Sequence, residues 1–306
     1  MGTEQPIHRW GAPAIREQQS FLAAAHRAGA EVIVSEAMAI QPEYLRALER
    51  FYIRATDLVV TNVRPDHQEQ LGVAADAMSQ AIAECVPSGG RVYVSAEAAV
   101  PAILDRAATQ SNAIIVEPDV PAAADPEQAN RNLALAVCRR HGISDRLAEQ
   151  AIRQATQDVG SFRLLRVAVD GGDIEFANAF SCNDTGSLER LWRGHHPSGM
   201  KTAFLLNPRP DRPLRTIEFI AALARLASDA PLFIASRNPL LRRAAIARGF
   251  AAQRVNLVPP RMTREVFGRI TGTLAPGTVL WGIGNYKGAG AQITALLDAS
   301  SAQCSP

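Results

Sequence analysis

Short apolar runs alternate along the chain with longer segments that show helical periodicity. Residues 14–29 place apolar side chains such as Phe21 on one helical face and end at Gly29, which predicts a helix closed by glycine. Residues 31–35 form a continuous β-branched run, and residues 58–62 repeat it, as buried parallel strands do. The pattern therefore predicts a helix followed by two strands of a parallel sheet.

The same alternation continues through the first half of the chain. It predicts, in turn, a helix, a strand, a helix and a strand at residues 73–86, 91–95, 99–109 and 113–116. A loop rich in Pro, Ala and Asp follows at 117–128, and two helices are predicted at 130–141 and 144–156. Such a rhythm is typical of an α/β fold with a parallel sheet.

A second α/β unit is predicted to begin near residue 173. Its apolar strands are expected at residues 202–206, 231–235 and 278–283, with helices at 215–228, 238–248, 263–272 and 289–299. We place the boundary at Gly171-Gly172, which gives domains 1–172 and 173–306. A chain of 306 residues is long enough for two domains of common size.

Composition narrows the classes of function. The hydrophobic content of 47% and charged content of 20% are ordinary for a globular protein, and a net charge of +2 gives no reason to expect nucleic acid. The four cysteines lack the spacing of a zinc site or a disulfide framework. No apolar run in the sequence reaches the roughly 18 residues that span a bilayer, so the prediction is a cytoplasmic protein.

Two polar segments follow the first two predicted strands, where ligands bind in open α/β sheets. Glu36 comes directly after the first strand, and a loop containing Asn62, Asp66 and His67 follows the second. By themselves these residues have plainer interpretations. Glu36 is also typical of a helix N-terminal charge, and the loop of a solvated turn.

The motif pair decides between these interpretations. "SEAMA" at 35–39 and "TNVRPDHQEQLG" at 61–72 resemble the central domain of Mur ligases and folylpolyglutamate synthases, and more closely the PgsB/CapB ligase subunit of poly-γ-glutamate synthases. The resemblance extends over nearly the whole chain through "IREQ" at 15–18, "NRNLALAVCRRHGI" at 130–143, "FANAFSCNDTGSLERLW" at 176–192, "NPRPDR" at 207–212 and "WGIGNYKGAG" at 281–290.

The resemblance implies a fold and a metal site. The expected fold is α/β, with a Mur-ligase-like central domain that lacks the P-loop strand and loop, and a C-terminal Rossmann-like α/β domain. It further implies that Glu36 and His67 hold Mg²⁺ at the ATP phosphates and act in catalysis, with Asn62 shaping their loop. A carboxylate suits Mg²⁺ on general grounds, whereas the histidine ligand is carried by the family pattern alone. Glu69 stands where the family usually has Asp and receives no direct role.

The resemblance also implies residues that face the nucleotide. Asn130 corresponds to an asparagine near the base, with a helix N-cap as the alternative. Arg163 resembles an arginine near the interdomain linker. The remaining implied ATP-binding residues lie in the second domain and are Asn183, Asp184, Asn207, Arg209, Asp211 and Arg212. For Arg209 and Arg212 the alternative is an exposed turn among prolines.

The glycines of residues 282–290 also invite a dinucleotide-binding interpretation. Their spacing is GxGxxxGxG, and no acidic residue follows about 20 positions later in a further βα unit, so a dehydrogenase is disfavoured. Gly282, Gly284 and Gly288 are better explained by tight turns at a strand end. Asn285 and Lys287 are then predicted to approach substrate.

The family implies a reaction and its partners. ATP phosphorylates a carboxylate to give an acyl phosphate, which an amine attacks to form an amide. The polyglutamate enzymes imply glutamate or poly-γ-glutamate as substrate and membrane subunits of a synthase as partners, which would place the protein at the membrane periphery.

One required motif is missing. The sequence contains no GxxGK[ST] loop, whose backbone amides and lysine cradle phosphates in such ligases. A shortened gene product, a loop supplied by another polypeptide and a loss of ATP hydrolysis all fit this observation. Whether the chain is an enzyme therefore stays open. A noncatalytic subunit that binds a ligand or partner is one alternative, and a folylpolyglutamate synthase-like enzyme is another.

Three expectations follow for the isolated chain. It should show negligible ATPase and ligase activity. Glu36 and His67 should converge to within about 12 Å, because ligands of one or two bridged ions must meet. The first domain should look incomplete beside residues 31–35, with apolar side chains exposed and an unprotected strand edge.

Overall fold

The computed structural model describes residues 14–64, 68–72, 74, 76–117, 126–155, 162–196 and 199–302. The chain divides into two compact units, Met1–Ile152 and Arg153–Pro306. Both are built from α-helices and parallel strands, which confirms the predicted fold class. Within the described residues, no helix is long and apolar enough to cross a membrane.

The first unit contains a three-stranded parallel sheet. Its order is β1-β2-β3, formed by β1 (Asp57–Val60), β2 (Arg91–Val94) and β3 (Ile114–Val116). The helices described in this unit are α1 (Ile15–Arg27), α2 (Pro42–Ala47), α3 (Gln68–Leu71), α4 (Ala77–Ala83), α5 (Pro101–Asp105), α6 (Pro126–Arg140) and α7 (Asp145–Gln154). α2 and α5 each run on into a π-helical turn, Leu48–Ile53 and Arg106–Ser111.

The core of the first unit lies at its middle strand. Val92, Tyr93 and Val94 of β2 are fully buried, together with Ile103 from α5. The strand is buried because it is paired on both sides and covered by helices, as β-branched parallel strands require. Asp57, at the start of β1, forms a two-pronged ion pair with Arg91 at the start of β2, with nitrogen to oxygen distances of 2.7 and 3.1 Å.

The prediction of a strand at residues 31–35 is wrong. The segment forms no strand, and Val32, Ile33 and Val34 are 74%, 38% and 89% exposed. A β-branched run becomes a strand only when a neighbouring strand pairs with its backbone, and the described sheet offers no such partner beside it. The expected exposure of apolar side chains here is confirmed.

The second unit is built on a six-stranded sheet with the order β4-β5-β9-β6-β7-β8. β4 and β5 form an antiparallel hairpin, and the other neighbours pair in parallel. The strands are β4 (Arg163–Val169), β5 (Gly172–Ala179), β6 (Thr202–Asn207), β7 (Leu232–Ala235), β8 (Val255–Val258) and β9 (Val279–Gly284). The helices are α8 (Thr185–His195), α9 (Pro213–Ala227), α10 (Pro239–Ala247), α11 (Arg264–Thr271) and α12 (Ala291–Ala302).

Apolar clusters cover both faces of this sheet. Phe204 and Trp281 belong to one cluster, and Phe176 and Phe180 belong to the other, all at most 1% exposed. Gly282 lies inside β9 rather than at a turn, so the tight-turn interpretation is wrong for this glycine. A Cβ there would lie 2.5 Å from the Phe176 ring and 2.7 Å from the Phe180 ring. Close packing of two aromatic rings therefore explains Gly282.

The two units meet in sequence about 20 residues earlier than the predicted boundary. Gly171-Gly172 forms the turn of the β4–β5 hairpin, and both glycines have positive φ, at 82° and 151°. A pair of glycines is typical of linkers and of hairpin turns alike. The sequence prediction missed β4 and β5, and without them the turn was interpreted as a linker.

Helix starts also differ from the predictions. α6 begins at Pro126, so Asn130 lies within the helix and is exposed, and the N-cap alternative is wrong. The sequence pattern further missed α2, α8 and β8. These elements are short or lie in polar segments, where hydrophobic periodicity gives a weak signal.

Candidate functional site

Most residues predicted to face a nucleotide in the second unit lie at one edge of its sheet. Asn183 and Asp184 follow β5, Asn207 ends β6, and Arg209, Asp211 and Arg212 lie between β6 and α9. Because the carboxyl ends of parallel strands meet at one edge, the fold brings these segments together. We call this the carboxyl edge. Open α/β sheets bind ligands there.

Asn207 ties two post-strand loops together. Its side chain is buried and donates hydrogen bonds from Nδ2 to the carbonyl oxygens of Asn285 and Lys287, at 2.5 and 2.8 Å. The Asn285 N–H donates in turn to the Asn207 carbonyl at 2.7 Å. This exchange needs close backbone approach, because a Cβ at Gly284 would lie 2.2 Å from the Asn207 carbonyl oxygen. Asn207 therefore fixes the loop that carries Lys287.

The positions of Gly284 and Gly288 agree with the predicted tight turn after β9. Their φ values are 101° and 77°, in the left-handed region that glycine adopts without steric cost. Lys287 between them is exposed, and its N–H donates to the Asn285 side chain at 3.2 Å. The loop presents Lys287 to solvent at the carboxyl edge.

Asp184 has a structural role, and its predicted contact with the nucleotide stays a prediction. Its carboxylate is the N-cap of α8 and accepts hydrogen bonds from the Ser187 N–H and hydroxyl, both at 2.7 Å. The exposed Asn183 accepts a hydrogen bond from Arg215, whose buried guanidinium also donates to the Cys182 carbonyl, both at 2.9 Å. The loop after β5 is thereby held to α9.

Arg209 and Asp211 form an ion pair in the loop after β6. Arg209 Nε lies 3.1 Å from Asp211 Oδ1, and the Arg209 N–H donates to the Thr216 hydroxyl at 3.1 Å. The hydrogen bond from Arg209 lowers the pKa of Asp211. Arg212 is half-buried at the N-terminus of α9. The proline-rich turn is therefore ordered by its own side chains, and the Asp211 carboxylate is engaged before any ligand arrives.

The sequence prediction missed two further cations at this edge. Arg237 follows β7 and Arg261 follows β8, and both are exposed. With Lys287 and Arg209, they place a basic residue after each of four neighbouring strands, β9, β6, β7 and β8. The signal in the sequence is a basic residue two to three positions past each of these strands, and it becomes visible only once β8 is recognised. A row of cations suits phosphate or carboxylate groups.

The predicted metal site is only partly within the described residues. Glu36 is exposed, and its carbonyl accepts a hydrogen bond from the Gln18 side chain at 2.5 Å. His67 and Asp66 lie outside the described residues, so the expected distance between Glu36 and His67 stays a prediction. Asn62 Oδ1 accepts a hydrogen bond from the Arg64 N–H at 3.2 Å, and the role of Asn62 at the site stays a prediction. The described residues contain no group of three or more metal-binding side chains.

Two other predicted site residues, Asn130 and Arg163, lie at least partly exposed on the surface. Asn130 is exposed on α6. Arg163 begins β4 and lies 3.2 Å from the Asp298 carboxylate, with 30% of its side chain exposed. Neither observation tests a role at a nucleotide.

Comparison with solved structures shows the fold. Mycobacterium tuberculosis folylpolyglutamate synthase, complexed with ADP and AMPPCP, superimposes with a TM-score of 0.63 at 17% identity, over 89% of this chain and 70% of that one. MurF from Acinetobacter baumannii gives a TM-score of 0.57 at 12% identity, over 86% of this chain and 62% of that one. At these identities the likeness concerns the fold alone.

Sequence comparison finds one matching family model and two similar proteins. Residues 164–300 match the family described as the poly-gamma-glutamate synthase CapB C-terminal domain. The capsule biosynthesis protein CapB of Bacillus anthracis is 27% identical over 302 residues, which cover 94% of this chain. The chain is thus similar in sequence to CapB proteins, and residues 164–300 are similar to the CapB C-terminal domain. The chain spans 64% of the length of the Bacillus anthracis protein, so the activity of a whole CapB protein is only proposed for it.

Proposed function

We propose that this CapB-type chain forms most of an ATP-dependent ligase that builds the amide bonds of poly-γ-glutamate. The family match over residues 164–300 supports the substrate class, and the row of basic residues at the carboxyl edge supports the binding of anions. The proposed location is the cytoplasm, where ATP is available, at the membrane periphery beside membrane subunits of a synthase.

The residues of the carboxyl edge fit a polyphosphate. Arg237, Arg261 and Lys287 are exposed and cationic, and Asn207 holds the Lys287 loop in place. Glu36 supplies a carboxylate oxygen, the ligand type that Mg²⁺ prefers, and Mg²⁺ in phosphate sites needs only one or two protein carboxylates. We propose that Glu36 and His67 hold the ion and that Asn130, Asn183, Asp184, Arg209, Asp211 and Arg212 line the nucleotide site.

Bound ATP would supply the phosphoryl group that activates a substrate carboxylate as an acyl phosphate. The chain's own part in this is positioning and charge neutralisation, which carry most of the catalysis in phosphoryl transfer. Arginines suit this because their planar guanidinium binds two oxygens at once. The Arg209 guanidinium is oriented by its ion pair with Asp211, and the Arg209 backbone is held by the hydrogen bond from its N–H to the Thr216 hydroxyl.

The 306-residue chain is expected to turn over little ATP by itself, because its sequence contains no GxxGK[ST] motif. The measurement is glutamate-dependent release of ADP by the purified chain, with Mg²⁺ present. Substantial release would contradict this expectation.

Binding of ATP and Mg²⁺ tests the carboxyl edge directly. Arg254 and Arg261 flank the same strand, β8, at its amino and carboxyl ends, so they form a matched pair of exposed arginines. We expect Arg261→Ala to weaken nucleotide binding about tenfold, the usual effect of losing one charge-assisted contact, and Arg254→Ala to leave it unchanged. Equal affinities in calorimetry for both variants would count against a nucleotide at this edge.

A noncatalytic binding subunit is the second candidate function. The exposed apolar residues 32–34 and the absence of a GxxGK[ST] motif favour it. Such a subunit would bind a ligand or partner without releasing ADP under any reconstitution. Glutamate-dependent ADP release after addition of the other synthase subunits would instead support the ligase, and release that depends on a folate substrate would indicate a folylpolyglutamate synthase-like enzyme.

A further inference from the structure

A pocket of about 430 Å³ opens in the second unit at the edge opposite the carboxyl edge. Lys201, Pro231, Arg254 and Thr278 line it, and each directly precedes one of the four neighbouring parallel strands β6, β7, β8 and β9. The pocket therefore lies at the amino ends of these strands. Its volume falls within the range of about 300–1,000 Å³ that small-molecule sites occupy.

One wall of the pocket is aromatic and preformed. The Trp192 and His196 rings stack with centroids 3.8 Å apart and an angle of 11° between their planes. Trp192 also packs against the fully buried Trp281, with ring centroids 5.1 Å apart. Because Trp281 belongs to the sheet core, the stacked pair rests on a rigid support.

A hydrogen bond fixes the orientation of His196. Its Nε2 lies 2.6 Å from the Thr202 hydroxyl, which in turn lies 3.3 Å from the Met200 carbonyl. The hydroxyl can donate to one of these two groups, and the imidazole tautomer sets the direction of its hydrogen bond with His196 Nε2. Burial lowers the pKa of His196, which disfavours a charged ring. The aromatic wall carries no charge of its own.

The charges around the pocket alternate in sign. Lys201 precedes β6, Asp229 precedes β7 and Arg254 precedes β8, and all three are exposed. These strands are neighbours in the order β6-β7-β8, so the charges run positive, negative, positive across two strand spacings, about 10 Å. A complementary ligand has two anionic groups on either side of a cationic one.

We propose that this pocket binds a dicarboxylic α-amino acid. Its two carboxylates would pair with Lys201 and Arg254 and its ammonium group with Asp229, while its aliphatic carbons pack on the Trp192 and His196 wall. This site is separate from the proposed nucleotide site, because the two lie at opposite ends of the same strands. Binding here requires no ATP.

The test is a titration of the whole chain with L-glutamate in the absence of ATP, followed by calorimetry and by Trp fluorescence, since Trp192 lines the pocket. Glutarate lacks the ammonium group and L-glutamine lacks one carboxylate, and each should bind about tenfold more weakly. Lys201→Ala and Arg254→Ala should each weaken glutamate binding about tenfold. Asp229→Asn should weaken glutamate binding and make glutamate and glutarate bind equally.

Arg243→Ala is the control, because it removes an exposed arginine of α10 that lines neither the pocket nor the carboxyl edge. It should leave glutamate affinity unchanged, and circular dichroism melts should show that every variant is folded. Three results would overturn the proposal: no saturable glutamate binding, equal affinities of the unaltered chain for glutamate and glutarate, or loss of binding in Arg243→Ala but not in Arg254→Ala. None of these depends on ligase activity, so failure of the proposed function leaves the test intact.

Discussion

The two units cover their parallel sheets to different extents. In the second unit, residues 203–206 of β6 are completely buried, because apolar clusters lie on both faces of the sheet. In the first unit, Val59 of β1 is 43% exposed and Ile114 of β3 is 58% exposed. Parallel sheets need cover on both faces. The difference indicates that the second unit holds the larger core, while the first unit presents apolar surface.

Truncating a buried aromatic residue should show this contrast most strongly. Phe204→Ala removes a completely buried ring of the second unit and should lower the free energy of unfolding by about 3–5 kcal/mol. Phe51→Ala removes a ring of the first unit that is 66% exposed and should change it by less than about 0.5 kcal/mol. Urea denaturation measures both values, and similar losses would mean that the two units do not differ as described.

The next largest loss of stability is expected when a methyl group is added inside the tightly packed core of the second unit. Gly282→Ala places a methyl group against the Phe176 and Phe180 rings and should cost about 3 kcal/mol, because both rings are buried and cannot retreat. Gly194→Ala is the control. Gly194 lies in α8 with open space around it, so the added methyl group should be neutral or stabilising. A neutral Gly282→Ala variant in thermal melts would show that this core is loosely packed.

Loss of the ion pair between Asp57 and Arg91 should lower the stability of the first unit. Burial alone would raise the pKa of Asp57, but the hydrogen bonds from Arg91, Thr56 and Tyr93 together with the charge of Arg91 outweigh burial and hold the pKa well below its usual range. Asp57→Asn should cost about 1 kcal/mol at pH 7. A carboxylate whose pKa is lower in the folded state stabilises the fold above its unfolded pKa of about 4, and this stabilisation is lost as the pH falls below that value.

Urea denaturation at pH 7 and at pH 3 checks the sign of this effect. The unaltered chain and Asp57→Asn should differ less in their free energy of unfolding at pH 3 than at pH 7, because Asp57 is neutral in the unfolded chain at pH 3. Asp145→Asn removes the partner of Arg139 in a pair that is more than half exposed and should have a much smaller effect. If the difference in the free energy of unfolding between the unaltered chain and Asp57→Asn were larger at low pH, the Asp57 carboxylate would not be the source of this pH dependence.

The smallest effect on stability is expected at the exposed segment 32–34. Val34→Lys replaces a side chain that is 89% exposed, so it should change the free energy of unfolding by less than about 0.5 kcal/mol. It should nevertheless reduce self-association, because a charge on an exposed β-prone segment blocks pairing between chains. Light scattering and sedimentation measure the association. Val34→Thr keeps the shape without the charge, and an equal reduction by that variant would exclude a charge effect.

The sequence by itself determined the elements whose apolar runs are long and bounded by turn residues. β2, β6, β7 and β9 lie within one residue of their predicted positions, because a short run of mostly apolar residues flanked by Gly, Pro or Asn is a local signal. The sequence also predicted the turn at Gly284 and Gly288, because a positive φ is a local requirement that glycine alone meets without steric cost.

The tertiary structure decided what depends on neighbours. Residues 31–35 have the composition of a strand, but no strand of the described residues pairs with them, so they form no strand and are exposed. Gly282 is explained by two rings from β5 and the residues just beyond it, which no local pattern shows. The row of cations at one edge and the alternating charges at the other appear only in the strand order β9-β6-β7-β8, because that order places residues far apart in sequence about one strand spacing from each other.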